Sequence, residues 1–179
     1  MVEALVIVDF QNDFTPGGAL AVPDGDRIAD RLNELAADPR FDLVVATQDW
    51  HPPDHGSFSE QKKPWPVHCV QDTEGADFHP SLDRSKVDVV VQKGQDPATE
   101  GYSGFQGTDL ARLLRDRGID KLTVVGLATD YCVKNTALDA LREGFDVKVE
   151  RDAVRGVDVE DGDSERALEE VEGAGGAVA

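Results

Sequence analysis

Five short runs rich in β-branched residues set the strongest limit on what this chain folds into: ALVIV (4–8), DLVVATQ (42–48), VDVVVQK (87–93), KLTVVGL (121–127) and FDVKVE (145–150). ALVIV and KLTVVGL are apolar almost throughout, the pattern of a strand covered on both faces. Between several of the runs apolar residues recur at helical spacing, over 26–37, 108–117 and 131–143, and Gly118 and Gly144 follow the last two as C-cap signals. Strands alternating with helices predict an α/β fold: three layers, α/β/α, around a mainly parallel, doubly wound sheet of five to six strands. The length of 179 residues suits a single domain, 1–179. An acidic helix is expected over 164–172, and GGAVA at the end reads either as a short last strand or as a fraying terminus.

Two connections stand out. Residues 50–86 carry no clear helical or strand pattern, and loops of that length are uncommon unless they serve a function. Residues 94–106 form a shorter connection rich in Gly, Gln and Asp. Neither GxGxxG nor GxxxxGK[ST] occurs, which argues against the commonest nucleotide-binding uses of such a sheet.

Charge narrows the partners. Acidic residues number 36 against 18 basic ones, a formal charge of −18 spread along the chain. Such a field repels nucleic acid and anionic membranes, so neither is expected as a partner. Solubility alone or an acidic binding surface would account for it. The favoured reading is a salt-rich cytosol, where screening removes the self-repulsion of the folded state. Two cysteines cannot build a disulfide framework, which points to a reducing interior. The start, MVEALVIVDFQNDF, has no basic segment before its apolar run, and that run is too short for a secretion signal or a membrane span. A cytoplasmic location is therefore expected.

In open α/β sheets, ligands bind beyond the carboxyl ends of the strands. Those ends carry Asp9, Asp49, Lys93 and, after the fourth run, Cys132. Cys132 stands where a buried strand gives way to a helix, and its immediate surroundings leave two readings open. It is either a small buried hydrophobe or a nucleophile whose pKa is lowered at a helix N-terminus. Reactive types at four successive strand ends favour the second. Lys93 then supplies positive charge beside the thiolate, and Asp9 takes the thiol proton and hands it to a leaving amine. A second constellation lies in DWHPPDHGSF (49–58) and WPVHC (65–69). Asp49 and His51 are two apart on one side of an extended segment, His68 returns seventeen residues later, and His55 lies between them. Imidazoles with a carboxylate suit a divalent metal with open positions. Cys69 beside His68 points away from it in an extended segment and is read as packing.

These residues resemble the nicotinamidases of the isochorismatase-like hydrolase superfamily. The resemblance rests on DFQNDF (9–14), DWHPPDHGSF, WPVHCVQDTEGADFHP (65–80), the lysine of VVQKG and GLATDYCV (126–133), and runs from about 3 to 156. It implies the isochorismatase-like hydrolase fold with a metal-binding insertion loop at about 49–86. It implies a triad of Asp9, Lys93 and Cys132, and a metal site of Asp49, His51 and His68. That site would hold one divalent ion per chain, zinc foremost, with iron or manganese as alternatives. His55 matches a position that in some relatives approaches the metal and is left open as a further ligand, but Pro52 and Pro53 stiffen its loop and favour a supporting place behind the other three. Phe14 and Trp65 match aromatic walls that sandwich a pyridine ring, and Tyr102 is placed on the same pocket. A cis peptide bond before Ala128, and an oxyanion hole formed by the N–H groups of Ala128 and Cys132, are also implied. Tyr131 departs from relatives that carry histidine there.

The activity implied is metal-assisted hydrolysis of nicotinamide, the small-molecule substrate, to nicotinate and ammonia through a Cys132 thioester, in NAD salvage. A homo-oligomer is left open. One competing reading is a hydrolase of another small amide or of isochorismate. Another, from a different class, is a non-catalytic metal- or ligand-binding module on the same scaffold. Ammonia release from nicotinamide separates all three.

Overall fold

The apolar runs become the strands of one sheet in a computed structural model that describes residues 1–58 and 65–179. Part of the expected insertion loop, 59–64, lies outside the described residues. The strands are β1 (Glu3–Val8), β2 (Leu43–Asp49), β3 (Val89–Lys93), β4 (Lys121–Leu127), β5 (Asp146–Arg155) and β6 (Ala177–Val178). Their order is β3-β2-β1-β4-β5-β6, and each neighbouring pair is parallel. Chain order reverses at β1, so the crevice at the strands' carboxyl ends opens beside β1 and β4, its neighbour on the later-numbered side.

Side chains of β1 alternate between two apolar layers, as the period of a strand requires. Leu5 and Ile7 pack with Leu32 and Leu35 of α1 (Ala29–Ala36). Ala4, Val6 and Val8 share the opposite layer with residues of α2 (Leu110–Asp116), α3 (Lys134–Arg142) and α4 (Asp163–Gly173). Each fully buried Val, Leu or Ile contributes about 1.5–3 kcal/mol, so β1, buried from Ala4 to Val8, anchors both layers.

Three elements depart from the sequence expectation by more than a residue or two at an end or by a change of type. The helix expected over 26–37 tightens into a 3₁₀ turn at Gly25–Ile28 before α1, a common form of first turn. The helix expected over 131–143 begins at Lys134, because Thr129–Val133 wind as a π turn. There the N–H groups of Val133 and Lys134 reach five residues back, to the carbonyls of Ala128 and Thr129. Strand β5 runs to Arg155 rather than 150, past a register shift between Val124 and Gly126. Gly126 (φ +112°) is required on the other side of β4, where a Cβ would lie 2.2 Å from the Val8 carbonyl oxygen of β1. The ending GGAVA does form a strand: Ala179 N–H donates to Val149 O and accepts Arg151 N–H through its own carbonyl.

No helix among the described residues is long and apolar enough to cross a membrane. Among them the buried acids are Asp9, Asp49, Asp130 and Glu150, so most of the negative charge faces solvent. Screening of that charge should raise stability. The melting temperature is expected to be higher in molar KCl than in dilute buffer, and equal values would remove salt adaptation as the reason for the composition.

Candidate active site

The sheet order explains why the four polar strand ends meet. Strands β3, β2, β1 and β4 are consecutive neighbours, and Asp49 pairs in register with Lys93. Asp9 follows β1 with a left-handed backbone (φ 48°), which Asp tolerates better than most residues. Its N–H donates to Thr47 O at 3.2 Å, and Thr47 Oγ1 donates to Asp9 Oδ1 at 2.8 Å. Lys93 is 1% exposed, and its Nζ sits at the centre of the group. It lies 2.8 Å from Asp9 Oδ2, 3.1 Å from Asp49 Oδ1, 2.9 Å from the Gly101 carbonyl and 3.4 Å from Cys132 Sγ.

A lone lysine buried this deeply would lose its proton, but Asp49 and Asp9 outweigh desolvation and hold its pKa well above the ordinary value. Burial pushes Asp9 up, and the negative charge of Asp49 adds to that against the pull of Lys93. Asp9 is thus a carboxyl with a raised affinity for a proton. For Asp49 burial acts in the same direction, but Lys93 and His51 overcome it and keep the carboxylate well below its usual range.

Cys132 corrects the sequence expectation of a lowered thiol pKa. Burial pushes it well up, Lys93 counters, and the nearby Asp9 and Asp49 push it further. The helix whose N-terminus was to supply the lowering starts only at Lys134, and two carboxylates share the cation meant for the sulfur. The thiol therefore holds its proton more tightly than an exposed cysteine does, and it stands beside a carboxylate able to take that proton.

Asp49, His51 and His68 come together as a buried trio whose ligand atoms all lie within 4.8 Å of one another. His51 Nδ1 donates to the Gly94 carbonyl at 2.8 Å and His68 Nδ1 to the Pro66 carbonyl at 2.7 Å. Those bonds turn each Nε2 toward Asp49 Oδ2, at 2.7 and 3.6 Å. Two imidazoles oriented by backbone carbonyls, beside a carboxylate, make a donor set that fits a divalent ion. Gly94 (φ +72°) must be glycine, because a Cβ there would lie 2.6 Å from the His51 ring. His55 lies outside the trio. Its ring stacks on that of His51 at 3.8 Å, its Nδ1 accepts the Ser57 N–H, and burial with the neighbouring His51 pushes its pKa down to about 4.

The expected pocket residues line one cleft with the trio and Cys132: Phe14, Trp65, Tyr102 and Ala128. Trp65 Nε1 donates to Tyr102 Oη at 2.8 Å, and Tyr131 meets the Trp65 ring edge to face at 4.9 Å. The Leu127–Ala128 peptide bond is cis. Cys69 is fully buried in the layer with Phe10 and Phe78, as packing requires.

Several contributors escaped the sequence reading. Gln11 Nε2 donates to the Asp49 carbonyl while its Oε1 accepts the Asp49 N–H, so it holds this ligand's backbone from both sides. Asp13 accepts the N–H of Cys69 and so fixes the segment carrying His68. Both lie inside DFQNDF, where polar residues directly after a buried strand were the available signal. Leu20 and Val157, also on the cleft, had none.

Loss of one ligand should lower metal affinity more than loss of a supporting group, whose removal costs about 10–100-fold in affinity or activity. Purified His51→Ala and His68→Ala are expected to lose stoichiometric metal after dialysis, while His55→Ala retains most of it with reduced activity. A His55→Ala protein as empty as the other two would make His55 a ligand.

An isochorismatase domain model matches residues 3–179. A nicotinamidase of Escherichia coli (strain K12) is 46% identical over 195 aligned residues, covering 96% of this chain and 92% of that one. Among solved structures, the pyrazinamidase of Pyrococcus horikoshii in complex with zinc superposes with a TM-score of 0.92 and 48% identity, covering 100% of this chain and 99% of the other. PnC1 from L. infantum in complex with nicotinate superposes with a TM-score of 0.94 and 36% identity, covering 99% and 92%.

Proposed function

The chain belongs to the isochorismatase family, and from that premise we propose that it is an amidohydrolase converting nicotinamide to nicotinate and ammonia, a reaction of NAD salvage. The observation that carries this reading is the buried ammonium of Lys93, which joins the thiol, the proton-accepting Asp9 and the ligand Asp49 within 3.4 Å.

The residues perform the reaction in two halves. Cys132 gives its proton to Asp9, and the sulfur attacks the carboxamide carbon. The N–H groups of Ala128 and Cys132 meet the oxyanion that forms. Asp9 passes the proton to the amide nitrogen as the C–N bond breaks, and ammonia leaves a nicotinoyl thioester on Cys132. Water then attacks the thioester carbon and gives a proton to Asp9. The C–S bond breaks, nicotinate departs and the sulfur recovers the proton. Lys93 stabilises the negative charge that appears in turn on sulfur and on Asp9. Phe14 and Trp65 face the pyridine ring, with Trp65 held by Tyr102.

Asp49, His51 and His68 would hold one divalent ion, zinc foremost with iron or manganese as alternatives. Such an ion, when bound, supplies a Lewis acid for the ring nitrogen and for water. We also assign the protein to a salt-rich cytoplasm, on its two unpaired cysteines and acidic surface, and treat 1–179 as one domain.

Ammonia release from nicotinamide by the purified, metal-loaded protein tests the function. Turnover of nicotinamide is expected. Release from another carboxamide but not from nicotinamide would transfer the activity to that substrate, and release from neither would leave a binding module.

A further inference from the structure

Asp130 has no part in the steps above, yet it is 7% exposed and stands in the π turn between Ala128 and Cys132. Both of its carboxylate oxygens are engaged away from that turn. Oδ1 accepts the N–H of Val157 at 2.9 Å and Oδ2 the N–H of Asp158 at 2.8 Å. Val157 follows β5 and lines the cleft that holds Cys132, although it is 25 residues further along the chain. The segment is tied again beyond this point, because Asp158 accepts the Ser164 N–H and hydroxyl at the start of α4, both at 2.8 Å. One buried carboxylate therefore fastens the cleft wall to the turn carrying the nucleophile. Two charge-assisted bonds in a fixed fork resist displacement more than neutral ones would.

We infer that Asp130 is a positioning residue that sets the width of the cleft by holding Val157 against the nucleophile turn, and so determines which ring sizes reach Cys132. The inference rests on the assignment of this cleft to an aromatic carboxamide. Asp130→Asn keeps the shape but turns an NH₂ group toward one of the two amides, which then loses its acceptor. Val157 is released toward solvent and the cleft widens.

Two measurements test this. In steady-state kinetics Asp130→Asn should raise KM for nicotinamide about tenfold with kcat little changed, since the loss is of ring positioning. In a Val157→Ala background the same substitution should change KM less than about twofold, because residues acting through one contact are not additive. Full additivity overturns the inference. The second measurement needs no turnover: the rate of Cys132 alkylation by iodoacetamide is compared with that by its bulky N-benzyl analogue, read by mass mapping. Asp130→Asn should raise the bulky-to-small rate ratio several-fold, and an unchanged ratio overturns the inference even if nicotinamide proves not to be the substrate. Should Asp130→Asn fail to fold, Asp130→Glu, which keeps both acceptors one methylene further out, is read in the same alkylation assay. Its longer arm should set Val157 further from the nucleophile turn and raise the ratio, and an unchanged ratio again overturns it.

Discussion

Cys132→Ala is expected to abolish nicotinamide hydrolysis, a loss of at least about 10⁴-fold in kcat given what removal of a nucleophile costs other covalent hydrolases. Binding should survive, because the aromatic walls and the Asp49–His51–His68 trio do not depend on the sulfur. The cost to the fold is small, since a thiol becomes a methyl at a position only 6% exposed. Mass spectrometry of a quenched wild-type reaction should show a nicotinoyl adduct on Cys132 and none on Cys69, which is fully buried and whose thiol burial likewise holds well above its usual pKa. Substantial turnover by the Ala variant, or an adduct elsewhere, would end the assignment of the nucleophile.

Lys93→Met should have the second largest effect, and on two properties at once. The substitution keeps most of the stem and removes the ammonium that pairs with both Asp9 and Asp49 in the interior. Breaking a buried ion pair from one side typically costs about 3–5 kcal/mol, to be read as a lower denaturant midpoint. Without Lys93 nothing opposes the upward push of burial and carboxylates on the Cys132 thiol, so iodoacetamide labelling near neutral pH should slow further. Activity should fall by at least about 10²-fold, the scale of losing one preorganised electrostatic partner. Lys93→Arg should recover part of the activity, since it keeps the charge but not the shape. Unchanged labelling in Lys93→Met would leave Lys93 as a structural partner of Asp9 alone.

The lowered thiol pKa expected from the sequence shows where sequence reasoning stops. A cysteine between a strand and a helix suggests a dipole acting on a thiol, and that argument is local. The actual balance depends on how far Asp9 and Asp49 stand from the sulfur and on which of them Lys93 serves. Those distances belong to the packing of four strands, not to any one segment. The same holds for β5, whose second half, ERDAVR, reads as polar. Glu150 is nonetheless buried against Lys148 and Arg40, and pairing with β4 resumes at Val154 after extra residues on β5 that no local pattern announces.

What the sequence determined by itself was the architecture and the residue types at its functional edge. Strand runs alternating with helical spacing leave few arrangements other than a parallel sheet covered on both faces, and in such a sheet every strand points its carboxyl end the same way. Asp9, Asp49, Lys93 and the Cys132 turn are therefore bound for one edge by topology alone. The tertiary structure decided which of them touch. The order β3-β2-β1-β4 set Lys93 between two carboxylates and the thiol, and backbone carbonyls of Gly94 and Pro66 turned two imidazoles toward Asp49. It also brought Val157 to the nucleophile turn through Asp130. Contacts between residues distant in the chain leave no periodicity and no local motif, because their energy comes from burial and geometry that exist only once the strands have paired.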